Sequence, residues 1–334
     1  MESKPIYIFK SGKLKRKGNT LYFISYGEDK KEVKRALPIV GISDIYIYGR
    51  VWMSPGVTDI ISKLSIPIHL FSYYGFYRAT LMPKKTLLSG STIISQAKTY
   101  LDSEKRLEIA REFIRGASDN MLKTISTQLN QETYDDKTQQ IRLLQDKIDG
   151  TNTINELMAI EGNIRNCYYG LLDIILPNEF KIVNRVKRPP NNPINAMISF
   201  GNSLLYAVTL SEIYNTHLEP TISFLHEPFE RRYSLSLDIS EIFKPFIVDR
   251  VILKLVNKNM IDLSYFDEKL NYATFNEKGK KLFIEEFDKK LSDTIKHKTL
   301  NRNVSYRHLI RLECYKLEKE ILGIEKYKAF RFWW

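Results

Sequence analysis

The chain has 334 residues, 43% of them hydrophobic, which is enough for a sizeable core and favours two domains. Its 51 Lys and Arg against 39 Asp and Glu leave a formal net charge of +12. That excess favours nucleic acid or another anionic partner, although a solvated basic surface has the same composition. Two cysteines, Cys167 and Cys314, are too few for a disulfide framework or a cysteine zinc site.

In chain order, PIYIF, TLYFISY, DIYIYGRVW and IPIHLFSYYGFYRATL are short aromatic and β-branched runs separated by Gly, Asn and Pro. They predict the strands of a small β-sandwich or roll, with the basic turn KSGKLKRKGN between the first two. Residues 1–90 hold 15 Lys or Arg against 6 Asp or Glu, so the basic excess concentrates there. From about residue 92 the hydrophobic period becomes helical. SQAKTYLDSEKRLEIAREFIRGASDNMLKTIST predicts one helix, QETYDDKTQQIRLLQDKIDGT another, and TINELMAIEGNIRNCYYGLLDIIL a third. The proline-broken basic loop NRVKRPPNNP follows. Further helices are expected over INAMISFGNSLLYAVTLSEIYN, over the DISEIF region with RVILKLVNK, over KGKKLFIEEFDKKL and over KTLNRNVSYRHLIRLECYKLEKEIL. The expected fold class is α+β, with a β domain over 1–88 and an all-α domain over 89–334. The N-terminus lacks an apolar signal-like stretch, and no apolar run approaches the ~18 residues of a membrane helix. A soluble, cytoplasmic protein with no membrane partner is the expectation.

Glu161 and Arg165 fall within the apolar stripe formed by Ile154, Leu157, Met158, Tyr168, Leu172, Ile175 and Leu176. A buried carboxylate must be paired, protonated or metal-bound. An internal Glu161–Arg165 pair is the structural reading, and a functional carboxylate is the other. Asp238 and Glu241 form D-x-x-E, which taken alone is a helix capping box. Pro245 is expected to kink that helix. His69, His217 and His297 read as structural or surface residues. Glu161, His226 and Glu241 together offer two carboxylates and one imidazole, a set suited to Mn²⁺ or Mg²⁺. Arg231, Arg232 and Lys244 are close in sequence and are candidate phosphate contacts.

The blocks LPIVGISDIYIYGRVWMSPG, IPIHLFSYYGFYRATLMP, IEGNIRNCYY, RPPNNPINAMISFGNSLLY, LEPTISFLHEP and LDISEIFKP occur in an order and spacing that resemble the Cas1 family, the CRISPR-associated endonuclease and integrase of spacer acquisition. The resemblance spans nearly the whole chain. It implies a β domain for dimerisation, partner and DNA contacts, followed by a helical catalytic domain. It implies Glu161, His226 and Glu241 as metal ligands, with Asp238 a supporting catalytic carboxylate. Arg165, Arg185, Lys187, Arg188, Arg231, Arg232 and Lys244 become candidate DNA contacts, and Asn195 and Tyr206 match recurring positions. The implied reaction is attack by the 3′-hydroxyl of spacer DNA on a phosphodiester of the CRISPR repeat, aided by Mn²⁺ or Mg²⁺. The implied partners are double-stranded and branched DNA, CRISPR repeat DNA, a second copy of the chain, the small protein Cas2 and an accessory trimming nuclease. A transposon-type integrase of the same chemistry and a catalytically silent DNA-binding scaffold are the alternatives. A weaker rival is a tyrosine recombinase, suggested by His308 and Arg311 with Tyr315 or Tyr327. The C-terminal FRFWW receives no role.

Overall fold

The structure is a computed structural model that describes every residue except 1–3, 28–30, 85–86, 188, 230–232, 270–271, 298 and 333–334. The chain divides into two compact units, Met1–Leu88 and Ser89–Trp334.

The first unit holds two four-stranded sheets. One joins β1 (Lys4–Ile8), β5 (Ile42–Ile47), β7 (Ile68–Phe71) and β8 (Tyr77–Leu81) in that spatial order. The other has the order β4 (Glu32–Leu37), β3 (Thr20–Tyr26), β2 (Gly12–Lys17), β6 (Val51–Met53). The β2–β3 and β3–β4 pairs are antiparallel hairpin neighbours, whereas β1–β5, β5–β7 and β2–β6 run parallel. Parallel partners need a crossover, and the connection from β5 to its partner β7 runs through β6 and a short helix, α1 (Pro55–Lys63). This helix was not evident from the strand-like reading of residues 1–90. It buries Val57, Ile60 and Ile61 in a core with Leu14, Leu21, Ile45 and Ile68.

The second unit is mostly helical. The single helix expected over 95–127 is two, α2 (Gly90–Leu101) and α3 (Ser103–Ser126). Asp102 lies between them in extended geometry, and its carboxylate accepts from Lys105 N at 3.1 Å. This N-cap competes with helix continuation at that point. Then come α4 (Gln131–Asp146), α5 (Ile154–Ile175) and α6 (Pro193–Tyr214), capped by Asn130, Thr153 and Asn192. α6 has a single charged residue, Glu212, and is buried almost all round, as a central helix must be. At Gly201 a Cβ would come within 2.6 Å of Val248 Cγ1 and 2.8 Å of Phe283 Cζ, so the neighbours close tightly on this helix only because glycine is there.

One helical run extends from α7 (Ser234–Lys244) through a π-helical turn, Pro245–Asp249, into α8 (Arg250–Asn257). Pro245 has no N–H for the carbonyl one turn back, and the wider turn accommodates this without ending the helix. Two side chains of α3 serve the local carbonyls: Asn120 Nδ2 donates to Ile242 O at 2.9 Å and Thr124 Oγ1 to Pro245 O at 3.2 Å. The last helices are α9 (Glu277–Ser292) and α10 (Tyr306–Ile321). Two small antiparallel pairs interrupt the helices, β9 (Phe266–Lys269) with β10 (Tyr272–Phe275) and β11 (Thr294–Lys296) with β12 (Asn303–Ser305). Beyond α10, Tyr327, Phe330 and Phe332 are buried; Phe330 lies 5.9 Å from Phe243 and 5.5 Å from Phe246. Among the described residues no helix is long and apolar enough to cross a membrane.

Candidate active site

Three pieces of the second unit converge: α5, the segment just before residue 229, and α7. α5 presents Glu161 and Arg165 on successive turns. Each keeps 16% of its side chain exposed, so the pair lies at the rim of the apolar stripe rather than inside it. Below them the stripe is buried through Leu157, Ile164, Tyr168 and Leu172.

His226 sits in an irregular segment held from several sides. Gln96 donates to Glu219 O at 3.0 Å and Ile222 O at 2.7 Å, and Arg106 Nε donates to Phe224 O at 2.9 Å. Glu227 is clamped by Arg106 at 2.6 Å and by Tyr100 OH at 3.0 Å. The main anchor is Asp238, which is fully buried. It accepts from Phe224 N at 2.7 Å, Leu225 N at 2.9 Å, His226 N at 2.9 Å and His226 Nδ1 at 2.8 Å. The N-cap of α7 is Tyr233, without a side-chain cap, so Asp238 lies in the second turn. The capping-box reading of D-x-x-E is therefore incorrect: Asp238 spends its acceptors on the His226 segment instead of its own helix end. With Nδ1–H on Asp238, the Nε2 lone pair of His226 is the one left for a ligand. Burial lowers the His226 pKa, but the bond to Asp238 and the charges of Asp238 and Glu241 outweigh it and leave it raised.

Glu241 is buried and accepts from Arg165 on one oxygen and Lys244 on the other. Burial alone would raise its pKa; the two cations win and hold it at about 2. Arg165 also donates from Nε to Glu161 Oε1 at 2.6 Å, so a single guanidinium bridges the two carboxylates. Its own pKa is pushed further up: burial opposes this, and Glu241 and Glu161 outweigh the burial. Lys244 rests 4.9 Å from the Tyr206 ring centroid. One helical turn below Arg165, Tyr168 OH donates to Asp249 Oδ2 at 2.9 Å, and burial raises the Asp249 pKa to about 6.

The candidate DNA contacts divide. Lys187 is exposed overall; partial burial of its ammonium group, followed by the nearby Lys244, Arg185 and Arg165, lowers its pKa. Arg185 donates to Asn195 Oδ1 at 3.0 Å, Ser199 Oγ at 2.9 Å and Val186 O at 2.6 Å. Asn195 in turn donates to Asn184 O at 2.9 Å and Asn191 Oδ1 at 2.8 Å. These two residues fasten the proline-broken loop to α6. Arg165 and Lys244 are engaged with carboxylates. Arg188, Arg231 and Arg232 lie outside the described residues, as do Trp333 and Trp334. The recombinase-like pattern does not assemble: Arg311 donates to Glu212 at 2.7 Å, and Tyr327 is buried with its hydroxyl on Glu313 at 2.6 Å.

A divalent ion can be tested against this geometry. The donor types, two carboxylates and an imidazole Nε2 with its other nitrogen fixed, fit Mn²⁺ or Mg²⁺. Among the described residues no three such groups close on one point as placed, because Glu161 and Glu241 turn to Arg165 and Lys244. The carboxylates nonetheless converge on one positive charge, the Arg165 guanidinium.

The family model of CRISPR associated protein Cas1 matches residues 6–289. The chain is 46% identical over 334 residues to the CRISPR-associated protein Cas1 1 of Methanobrevibacter ruminantium, covering 100% of both. It is 47% identical over 334 residues to the CRISPR-associated endonuclease Cas1 of Methanothermobacter thermautotrophicus, covering 100% of this chain and 96% of that one. A solved Cas1 protein of Thermotoga maritima superposes with a TM-score of 0.86 at 37% identity, covering 98% of this chain and 100% of the other. A casposase bound to integration product has the same fold, with a TM-score of 0.83 at 20% identity, covering 98% of this chain and 92% of that one. A full-length match in sequence and in structure, over both the β unit and the helical unit, places the chain in the Cas1 family of CRISPR-associated proteins.

Proposed function

We propose that this protein is a divalent-metal-dependent DNA endonuclease and integrase. It inserts spacer DNA into a CRISPR array by attack of a 3′-hydroxyl on a repeat phosphodiester. The observation that supports the reading is that Arg165 bridges Glu161 and Glu241 while Asp238 holds His226 Nδ1, which leaves the Nε2 lone pair for a ligand. Relatives at this identity carry the name endonuclease, and the fold is also that of a casposase bound to integration product.

Glu161, Glu241 and His226 Nε2 would hold Mn²⁺ or Mg²⁺. When bound, such an ion polarises a phosphoryl oxygen and stabilises the leaving oxygen. Asp238 keeps the imidazole in one tautomer. Arg165, released from the carboxylates, and Lys187 from the basic loop supply cations to the phosphate, and Lys244 keeps Glu241 ionised. Catalysis in this arrangement is mostly positioning and charge stabilisation. Duplex and branched DNA, a second copy of the chain, Cas2 and a trimming nuclease are the proposed partners, in the cytoplasm.

The test is strand transfer into a repeat-bearing plasmid with Mn²⁺ or Mg²⁺. Wild type is expected to give product, and EDTA, Glu161→Ala and His226→Ala to reduce it to background. Undiminished product from either variant would overturn the site.

A further inference from the structure

Asp173 stands in the last turn of α5, the helix that carries Glu161 and Arg165. A carboxylate at that end opposes the helix dipole, and no basic residue of the turn compensates it. Its partners lie outside the helix. It accepts from Ile182 N at 2.5 Å on one oxygen and from Val183 N at 3.0 Å on the other, and Lys181 Nζ donates to its carbonyl. The chain bends sharply where it is held. Asn184 N donates back to Ile182 O at 2.6 Å, closing a three-residue turn around Val183, whose φ is +54°. A β-branched residue rarely adopts that conformation, and turns of this hand are strained. Val183 is 77% exposed, so its own packing does not keep it there. Asn192 closes the other side of the neck: its Nδ2 donates to Lys181 O at 3.3 Å and Ile182 O at 3.4 Å, while its Oδ1 caps α6. Beyond the neck, Arg185 bonds Asn195 and Ser199, and Ala273 N donates to Pro190 O at 2.9 Å. The loop so moored carries Lys187. Burial first, then the neighbouring Lys244, Arg185 and Arg165, lower the Lys187 pKa, so the loop keeps a cation among like charges. In a loose loop, repulsion would carry that cation away from them.

We propose that Asp173 is a positioning residue for strand transfer: it holds the strained turn at Val183 and so fixes Lys187 relative to Glu161. The two carboxylates share one helix and stand a little over three turns apart, about 18 Å along its axis. α5 thus works as a ruler, with a candidate ligand at one mark and the mooring of the cationic loop at another. Asp173 spends its acceptors on the backbone and acts through Lys187. A phosphate placed beside Glu161 and met by Lys187 needs their separation set before it arrives, because a misplacement of about 1 Å costs rate steeply. The proposal rests on the reading of Lys187 as a phosphate contact and adds the device that sets its place.

The experiment uses the full-length chain. It measures kcat and KM for strand transfer into a repeat-bearing plasmid with Mn²⁺, and amide hydrogen exchange over residues 181–187. Asp173→Ala is expected to lose about 10-fold in kcat with little change in KM and to exchange faster over 181–187. Asp173→Asn, which keeps one acceptor oxygen, should fall between it and wild type. Lys187→Gln should lose a similar factor, and Asp173→Ala with Lys187→Gln no more than the larger single loss, as two residues acting through one contact do. Glycine adopts the turn without strain, so Val183→Gly should restore most of the rate to Asp173→Ala. Exchange or rate unmoved by Asp173→Ala, additive losses in the double variant, or no recovery with glycine would overturn the positioning role and leave the active-site reading standing. A full rate in Lys187→Gln, or no strand transfer by wild type, would overturn that reading and this proposal together.

Discussion

At the residue scale, Asp238 has the most exacting role. All four of its hydrogen bonds run to one three-residue segment, and none is exposed. In Asp238→Asn one amide oxygen replaces two carboxylate oxygens, so at least one pair of donors faces an NH₂ group. Each buried donor left unpaired costs about 1–3 kcal/mol. The variant is expected to melt several degrees lower and, at a temperature where it remains folded, to lose about 10–100-fold in strand transfer. Full activity in the folded variant would give Asp238 a purely structural role. Asp249 behaves oppositely. Its carboxyl titrates near 3.8 when unfolded and near 6 in its buried site. Between those values the folded state holds a proton that the unfolded state has released, so raising the pH through this window removes stability. Asp249→Asn keeps an acceptor for Tyr168 and has no proton to lose. Its melting temperature should exceed wild type at pH 7, with the difference closing towards pH 4. A difference independent of pH would refute the assignment.

At the scale of elements, the run α7–π turn–α8 depends on α3 and on the segment after α10. Asn120 donates to Ile242 O and to Phe330 O at 3.1 Å and accepts from Phe332 N at 2.8 Å, so one side chain ties both to α3. Asn120→Ala would strand these groups in an apolar setting at a cost of about 2–4 kcal/mol. Thr124→Val, which removes one bond and keeps the shape, should cost about 1 kcal/mol. Urea unfolding of both measures the ranking, and equal losses would contradict it. Helix positions were legible because apolar spacing is local. The break at Asp102 was legible in principle, as an Asp ahead of a new apolar phase. The π turn was not: Pro245 announces a disturbance, but whether a helix stops or widens is decided by α3 supplying Asn120 and Thr124. α1 was obscured by a β-rich neighbourhood, although Ser54-Pro55 is a helix start in form.

At the scale of the molecule, the division into Met1–Leu88 and Ser89–Trp334 separates most of the basic excess from the candidate ligands Glu161, His226 and Glu241. A fragment of 89–334 is therefore expected to be helical by circular dichroism and to retain Mn²⁺ binding, while its duplex affinity falls and varies less with salt. Retention of the full salt slope would refute this distribution of labour. Glu161 lies far in sequence from His226 and Glu241, and the ordered family blocks joined it to them. The side-chain partners came only from the fold. Arg185 reads as a DNA contact in a basic loop, but Ser199 and Asn195 meet it from the next helix, and no spacing announces that. The sheet β4-β3-β2-β6 was half legible: alternation in GKLKRK sets Lys13, Lys15 and Lys17 on one side of β2, and only the strand order brings Lys34 and Trp52 into the same row.

The bridge from Arg165 to both carboxylates has a consequence for ion choice. A guanidinium tethered one helical turn from Glu161 acts as an intramolecular competitor at high effective concentration. Sodium or potassium offers the carboxylates no more charge than the arginine already does, without its directed hydrogen bonds, and gains nothing by exchange. On the metal-binding reading proposed above, only an ion of higher charge would displace it, so the arginine would set a valence threshold. Arg165→Gln should lower that threshold: Mn²⁺ should bind more tightly in an electron paramagnetic resonance titration, and its binding should become sensitive to added potassium, to which the wild type is expected to be indifferent.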